Sequence, residues 1–367
     1  MIYCPKCGEK PDYLSDAIGE CPACAVKNAS PSEQNLRYHE SSRRPFGLPF
    51  PVPDNADGIS CRLCGSECTI AEGQRGFCGI RENRGGKIFH AAGSPLTGIY
   101  DWYFDPLPTN CVADWVCPGG TGAGYPQFAY RDGPEYGYKN LAVFMGSCSF
   151  NCLFCQNSSY KALSQQRRPA HTADHLPSLV GNDTACICFF GGDPSTQMPF
   201  VISASEKSRD RKKGSILRIC LETNGCMNIP LLRRAMDLIV DSGGCIKFDL
   251  KAYSENLFRK LTGQESAASF KAFEAACAFI EKRPEPPPVV ASTLLVPGYV
   301  DHGEVAKIAR FIASLDAQIP YSLLGFYPRH MMKDLPRTTR QAASDAQRAA
   351  LDAGLANVRI GNVHLLW

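Results

Sequence analysis

From about residue 139 onward the chain alternates short apolar, β-prone runs with stretches of helical period. The apolar runs are "LAVFMG" (141–146), "ACICFFG" (185–191), "ILRICLETN" (216–224), "CIKFDLK" (245–251), "VVASTLLV" (289–296) and "YSLLGFY" (321–327). Between them, "NIPLLRRAMDLIV" has Pro230 near its start, and 266–282 and 302–315 carry helical spacing. "TTRQAASDAQRAALDAG" ends at Gly354, which suits the position just past a helix. "KSRDRKKG" (207–214) reads as a solvated helix end or loop, and "KRPEPPPVV" as a stiff approach to a strand. Six β/α units predict an α/β fold with a parallel sheet. Right-handed crossovers would curve that sheet into a partial (β/α)6, TIM-like barrel.

The chain ahead of residue 139 is different: rich in cysteine and poor in periodic runs. In residues 1–30, "CPKCG" and "CPAC" place Cys4, Cys7, Cys21 and Cys24 as two C-x2-C pairs. Such pairs wrap one metal from two tight turns, so this is expected to be a zinc-ribbon-like knuckle of structural role. Residues 31–58 read as a Pro-rich linker. The segment 59–138 opens with "CRLCGSECTIAEGQRGFCGIREN", where Cys61, Cys64, Cys68 and Cys78 can close a second metal site. Zinc or an additional iron–sulfur cluster both fit that set. Further on, Cys111 and Cys117 precede the glycine-rich "PGGTGAG", which lacks the Gly-Lys-Ser/Thr ending of a phosphate loop and reads as a lid or packing loop. These two thiols fit a ligand role or a core role equally. The expected organisation is thus a knuckle (1–30), a linker (31–58), a cysteine-rich segment (59–138) and a barrel (139–367).

Composition narrows the function. With 367 residues, 44% of them hydrophobic, the chain is globular. A net charge of +3 makes no case for a nucleic-acid or membrane partner. No run approaches the ~18 apolar residues of a membrane span. The start "MIYCPKCGEK" has no apolar signal-peptide core. Nineteen cysteines, an odd number, make a poor disulfide framework. A cytoplasmic, reducing setting is therefore expected, with clustered thiols as metal ligands. Cys186, Cys188, Cys220, Cys245 and Cys277 fall on strands or helices and read as small core residues, whereas Cys226 follows "ETNG".

In β/α barrels chemistry gathers at the carboxyl ends of the strands. Cys148, Cys152 and Cys155 follow the first strand here, and Gly191, Gly192 and Asp193 end the second. Glu222, Thr223 and Asn224 end the third, Asp249 and Lys251 the fourth, Val296 and Pro297 the fifth. Tyr327, Arg329 and His330 end the sixth. Three thiolates on one loop can hold three irons of a [4Fe–4S] cube. The fourth iron is left open to a small molecule, as a catalytic metal site requires.

The motif C-x3-C-x2-C, with Phe154 before its last cysteine, resembles that of the radical S-adenosylmethionine (SAM) superfamily. "GGDP", "ETNG", "DLK" and "LVPG" are similar to relatives of the pyruvate formate-lyase activating enzyme. "CRLCGSEC…EGQRGFCGIREN" resembles the radical SAM protein of the AmmeMemoRadiSam system, so the likeness covers roughly residues 59–367. It implies an enzyme in which SAM binds the open iron of a [4Fe–4S] cluster. One-electron reduction then yields a 5′-deoxyadenosyl radical that takes hydrogen from a substrate. It implies Cys148, Cys152 and Cys155 as cluster ligands, and Gly191, Gly192 and Asp193 beside the SAM amino group. Glu222, Thr223, Asn224, Asp249 and Lys251 would lie near the SAM carboxylate, Phe154 near the adenine, and Val296 and Pro297 on its other side. Two positions depart from the pattern: Asp193 stands where relatives often have Glu, and Glu222 where the motif has Asp. The implied partners are an electron donor such as flavodoxin or ferredoxin and a bulky substrate. Activation of a glycyl-radical enzyme and modification of another protein are both open. The number of cysteine sets also admits an alternative: an iron–sulfur electron carrier or metal-dependent scaffold without SAM chemistry.

Overall fold

The apolar runs become strands of one nine-stranded sheet. The computed structural model describes residues 3–109 and 111–367. In chain order the sheet strands are β1 (Thr97–Pro106), β2 (Lys139–Met145), β3 (Ala170–Thr172), β4 (Thr184–Gly191), β5 (Arg218–Thr223), β6 (Ile246–Asp249), β7 (Val289–Leu295), β8 (Tyr321–Gly325) and β9 (Val358–Gly361). Strand β2 and strands β4 to β9 are parallel and lie side by side in chain order. Strand β1 runs antiparallel to β2, and β3 antiparallel to β1, closing off that edge.

All six expected strands are present, and the α/β class with a mostly parallel sheet holds. The parallel run is one strand longer than six, because "VRIG" after Gly354 adds β9. That strand is four half-buried residues, too short to show a period. Strands β4 and β7 are almost wholly buried on both faces, as expected where helices cover a parallel sheet.

The covering helices follow amphipathic logic. Helix Ile229–Ser242 starts at Asn228, whose side chain accepts from the Leu231 N–H, with Pro230 in the first turn. It stops at Gly243, which takes the left-handed φ of 76° that a side chain would resist. Its buried face is Leu232, Ala235, Met236, Ile239 and Val240, one stripe of a 3.6-residue period. Each large side chain on that face contributes about 1.5–3 kcal/mol by burial.

Residues 31–58, read as a linker, contain an eleven-residue helix, Glu33–Arg43, whose Ser32 side chain caps the Asn35 N–H. The helix buries Asn35, His39, Ser42 and Arg43. This stripe has helical spacing but polar residues, so hydrophobicity gave no sign of it. Arg43 stacks over Phe77 at 3.7 Å and donates from Nε to the Pro49 carbonyl at 2.8 Å.

The amino-terminal knuckle docks on the barrel rather than standing apart. Lys260 Nζ pairs with buried Glu20 at 2.8 Å and donates to the carbonyls of Ala25 and Asn28. Tyr299 Oη accepts from the Ser15 N–H and donates to the Glu20 carbonyl. Among the described residues no helix is long and apolar enough to cross a membrane.

Candidate active site

The carboxyl ends of the strands surround one cavity of about 250 Å³. It is bordered by residues from the loop after β2 round to Asn362 after β9, so the sheet curves around it. Cys148, Cys152 and Cys155 line it, and no other cysteine does so among the described residues. The loop that carries them is pinned by its backbone. Asn151 and Leu153 donate to the carbonyls of Thr262 and Leu261, and Met331 donates to that of Leu153.

Burial raises all three thiols, Cys152 to about 12. Metal binding at such thiols displaces their protons. Cys148 Sγ also lies within reach of two donors, the Phe150 N–H at 3.3 Å and Asn224 Nδ2 at 3.7 Å. Three convergent thiols with sulfur-directed donors fit an iron–sulfur cluster with one open iron.

Gly191 and Gly192 let the cysteine loop lie directly on the end of β4. A side chain on Gly192 would stand 2.3 Å from the Ser147 carbonyl oxygen, and Gly191 has a φ of 97°. The Asp193 carboxylate is fully engaged. It accepts from the N–H groups of Ser195 (2.8 Å) and Asn224 (2.6 Å) and from the Thr223 hydroxyl. Burial raises its pKa while these hydrogen bonds oppose the rise. It therefore acts as a staple between β4 and β5.

On the far wall Glu222 pairs with Lys247 at 2.9 Å, and Asp249 pairs with Lys251. Burial works against the Lys251 ammonium, but Asp249 outweighs it and raises its pKa. Lys251 Nζ lies 5.5 Å from the centre of the Phe154 ring. Asp249 Oδ1 is buried with no hydrogen-bond partner, an acceptor left over for a ligand.

Twelve of the residues expected from the sequence border this cavity: the three cysteines, Phe154, Gly191, Gly192, Asp193, Glu222, Thr223, Asn224, Asp249 and Lys251. Val296 and Pro297 do not. Ser292 and Leu294 of β7 line it; Val296 has the same parity but lies just past the strand end at Leu295, where the alternation lapses. Val296 is fully buried in a neighbouring apolar cluster, and Pro297 borders a groove beside Tyr13 of the knuckle.

Sequence reasoning missed Lys247, although it shares a strand face with Asp249 and Lys251 by the period of two. It also missed a buried polar layer beneath the cysteine loop. Lys161 Nζ donates to Asn151 Oδ1 (2.8 Å) and to the Ser42 carbonyl (3.1 Å), and lies 3.1 Å from His330 Nε2. Burial lowers Lys161 to about 8. Asn151 Nδ2 in turn contacts His39 Nδ1 at 3.0 Å, and burial lowers His39 to about 4.

The other cysteine sets differ in geometry. The sulfurs of Cys4, Cys7, Cys21 and Cys24 all lie within 4.8 Å of one another, with Cys7 and Cys21 at 3.8 Å. That is the edge of a tetrahedron around one thiolate-bound ion, for which metal–sulfur distances of about 2.3 Å imply ~3.8 Å between sulfurs. Burial opposes ionisation of Cys4, but the N–H groups of Cys21, Lys6 and Cys7 lower it to about 6. These residues can hold a metal. Cys61, Cys64, Cys68 and Cys78 are not drawn together to that degree. Cys61 and Cys68 sit in an apolar cluster with Ile70 and Phe77, and the Cys64 thiol meets that of Cys226.

Comparison with known proteins agrees with this arrangement. The profile of the Radical SAM superfamily matches residues 142–312. An uncharacterised protein of Methanocaldococcus jannaschii is 24% identical over 310 residues, 83% of this chain and 81% of the relative. The pyruvate formate-lyase-activating enzyme of Streptococcus mutans is 22% identical over 207 residues, 54% of this chain and 74% of that enzyme. Among solved structures, Streptococcus suis SuiB bound to S-adenosylmethionine aligns with a TM-score of 0.40 at 12% identity, over 59% of this chain and 49% of SuiB. SuiB bound to the precursor peptide SuiA aligns with a TM-score of 0.45 at 12% identity, over 59% of this chain and 47% of SuiB. This chain thus spans about half the length of SuiB. The superfamily profile lies across strands β2 to β7 and their crossovers, so the chain carries a Radical SAM domain there and is an enzyme.

Proposed function

We propose that Cys148, Cys152 and Cys155 hold a [4Fe–4S] cluster at which SAM is reductively cleaved. The observation that carries this is the single cavity shared by these three thiols and the ends of β4, β5 and β6. Bound there, the cluster and SAM together supply a 5′-deoxyadenosyl radical that abstracts hydrogen from a substrate. The chain's own residues bind and orient. Lys251 meets the SAM carboxylate as a buried cation, with Asp249 fixing its position. The SAM ammonium is met by backbone carbonyls at Gly191 and Gly192 rather than by Asp193, whose carboxylate is already engaged. Phe154 offers the adenine an apolar face, and Leu294 and Leu324 border the same cavity. Burial of the cysteine loop keeps water from the reacting centre.

The likeness to a pyruvate formate-lyase-activating enzyme supports a protein substrate and an electron donor of the flavodoxin or ferredoxin kind. The tetrahedral spacing at Cys4, Cys7, Cys21 and Cys24 supports zinc in the knuckle, where it fixes the turns that dock on Lys260 and Tyr299. The test is release of 5′-deoxyadenosine by anaerobically reconstituted protein given SAM and a strong reductant. Release is expected from the native chain and not from Cys152→Ala. A fully loaded cluster that yields none, and whose EPR spectrum ignores SAM, would leave an electron carrier as the function.

A further inference from the structure

A second cavity, of about 120 Å³, lies inside the barrel nearer the amino ends of the strands and shares Phe190, Glu222 and Lys247 with the first. Six cysteines border it: Cys111, Cys117, Cys186, Cys188, Cys220 and Cys245. Read from the sequence, the four strand cysteines are core residues. The structure gathers them into something else. Cys188 faces Cys220 in register across β4 and β5. Leu221 faces Ile246, which puts Cys220 level with Cys245 at the start of β6. The segment 111–121 then folds over this row and brings Cys111 and Cys117 onto it. Cys111, Cys117, Cys220 and Cys245 pack together around Ala113 and Val290.

We propose that this cavity holds an iron–sulfur cluster ligated by Cys111, Cys117, Cys220 and Cys245, separate from the one at the strand ends. Three observations converge on it. First, the ligand sulfurs come from two rigid strands and a covering segment, so the site is built rather than incidental. Second, besides its pair with Glu222 at 2.9 Å, the buried Lys247 ammonium lies 3.1 Å from both Cys111 Sγ and Cys188 Sγ. A cation aimed at these sulfurs suits the negative charge of a thiolate-bound cluster. Third, among the described residues only the knuckle sulfurs all fall within 4.8 Å of one another, so these four do not close on a single tetrahedral ion. The cavity, about 120 Å³, has space for the cluster's inorganic core. None of this depends on SAM binding at the first cavity.

The test counts iron and acid-labile sulfide in the full chain after anaerobic reconstitution. The reference carries Cys148→Ala, Cys152→Ala and Cys155→Ala. Adding Cys220→Ala and Cys245→Ala should remove about four irons and four sulfides per chain, together with one reduced-cluster EPR signal. Cys277→Ala, outside the cavity, should remove none. Cys111→Ala with Cys117→Ala lies on the covering segment rather than on a strand and leaves two of the four thiolates. It should show the same loss with unchanged circular dichroism, so a folding defect in the strand variants does not decide the matter. Equal iron and sulfide in the reference and in this double variant, or loss of zinc alone, would overturn the proposal.

Discussion

Asp193 and Asn224 are joined across the mouth of the barrel: the Asn224 N–H donates to Asp193 Oδ2 over 2.6 Å. Because Asn224 Nδ2 also reaches Cys148 Sγ, one carboxylate positions a donor on the cysteine loop. Asp193→Asn keeps the shape but turns an NH2 group toward a ring of donors. We expect it to lower the unfolding free energy by about 1.5–3 kcal/mol, read from the urea midpoint. An unchanged midpoint would show that the staple is dispensable.

Lys251 is the cation nearest the proposed SAM carboxylate. Lys251→Met removes one charge-assisted hydrogen bond of about 1.5–3 kcal/mol, a loss of roughly 10- to 150-fold in affinity. Titration of SAM into cluster-loaded protein measures it. The iron content should stay at the native level, because Lys251 is not a cluster ligand in this reading. Native affinity in the variant would move the carboxylate elsewhere.

His39 ties acid stability to the helix at 33–43. Burial lowers it from 6.5 to about 4, so the native ring is neutral where an unfolded one takes up a proton. Between those values the unfolded state binds more protons, and stability must fall as pH drops. The full effect is about 3 kcal/mol, complete near pH 4 and absent above pH 6.5. His39→Gln retains a donor for the Lys260 carbonyl and should flatten this limb of the stability–pH curve. A curve as steep as the native one would assign the limb to other groups.

The knuckle should come loose in two ways. Chelation of the metal proposed for it should release Cys4, Cys7, Cys21 and Cys24 and expose residues 3–30 to limited proteolysis while the barrel stays intact. Lys260→Met leaves Glu20 buried without its partner and should cost about 3–5 kcal/mol in docking and stability. The same proteolytic cut in metal-loaded Lys260→Met is the expected signature.

The sequence pattern was a good guide where burial follows a simple period. Strands β4 and β7 and the helix at 302–315 came from apolar runs whose meaning does not depend on distant residues. The cysteine loop and the polar strand ends were legible for the same reason, since each lies just past a recognisable strand. The helix at 33–43 was not, because its buried face is Asn35, His39, Ser42 and Arg43, and a polar stripe resembles a solvated one until its partners are known. Val296 does not line the cavity because a residue just past a strand end keeps the alternation only while the backbone stays extended.

Taken alone, the order of residues settled the α/β class, the three-cysteine loop and the polar groups that end each strand, since these are local matters of period and spacing. Folding decided which of those groups share a cavity, that Asp193 is already engaged with Thr223 and Asn224, and that cysteines more than a hundred residues apart meet inside the barrel. The reason is that hydrogen bonding and thiol chemistry depend on distances of a few ångströms. Only strand register and the path of the covering segment set those distances.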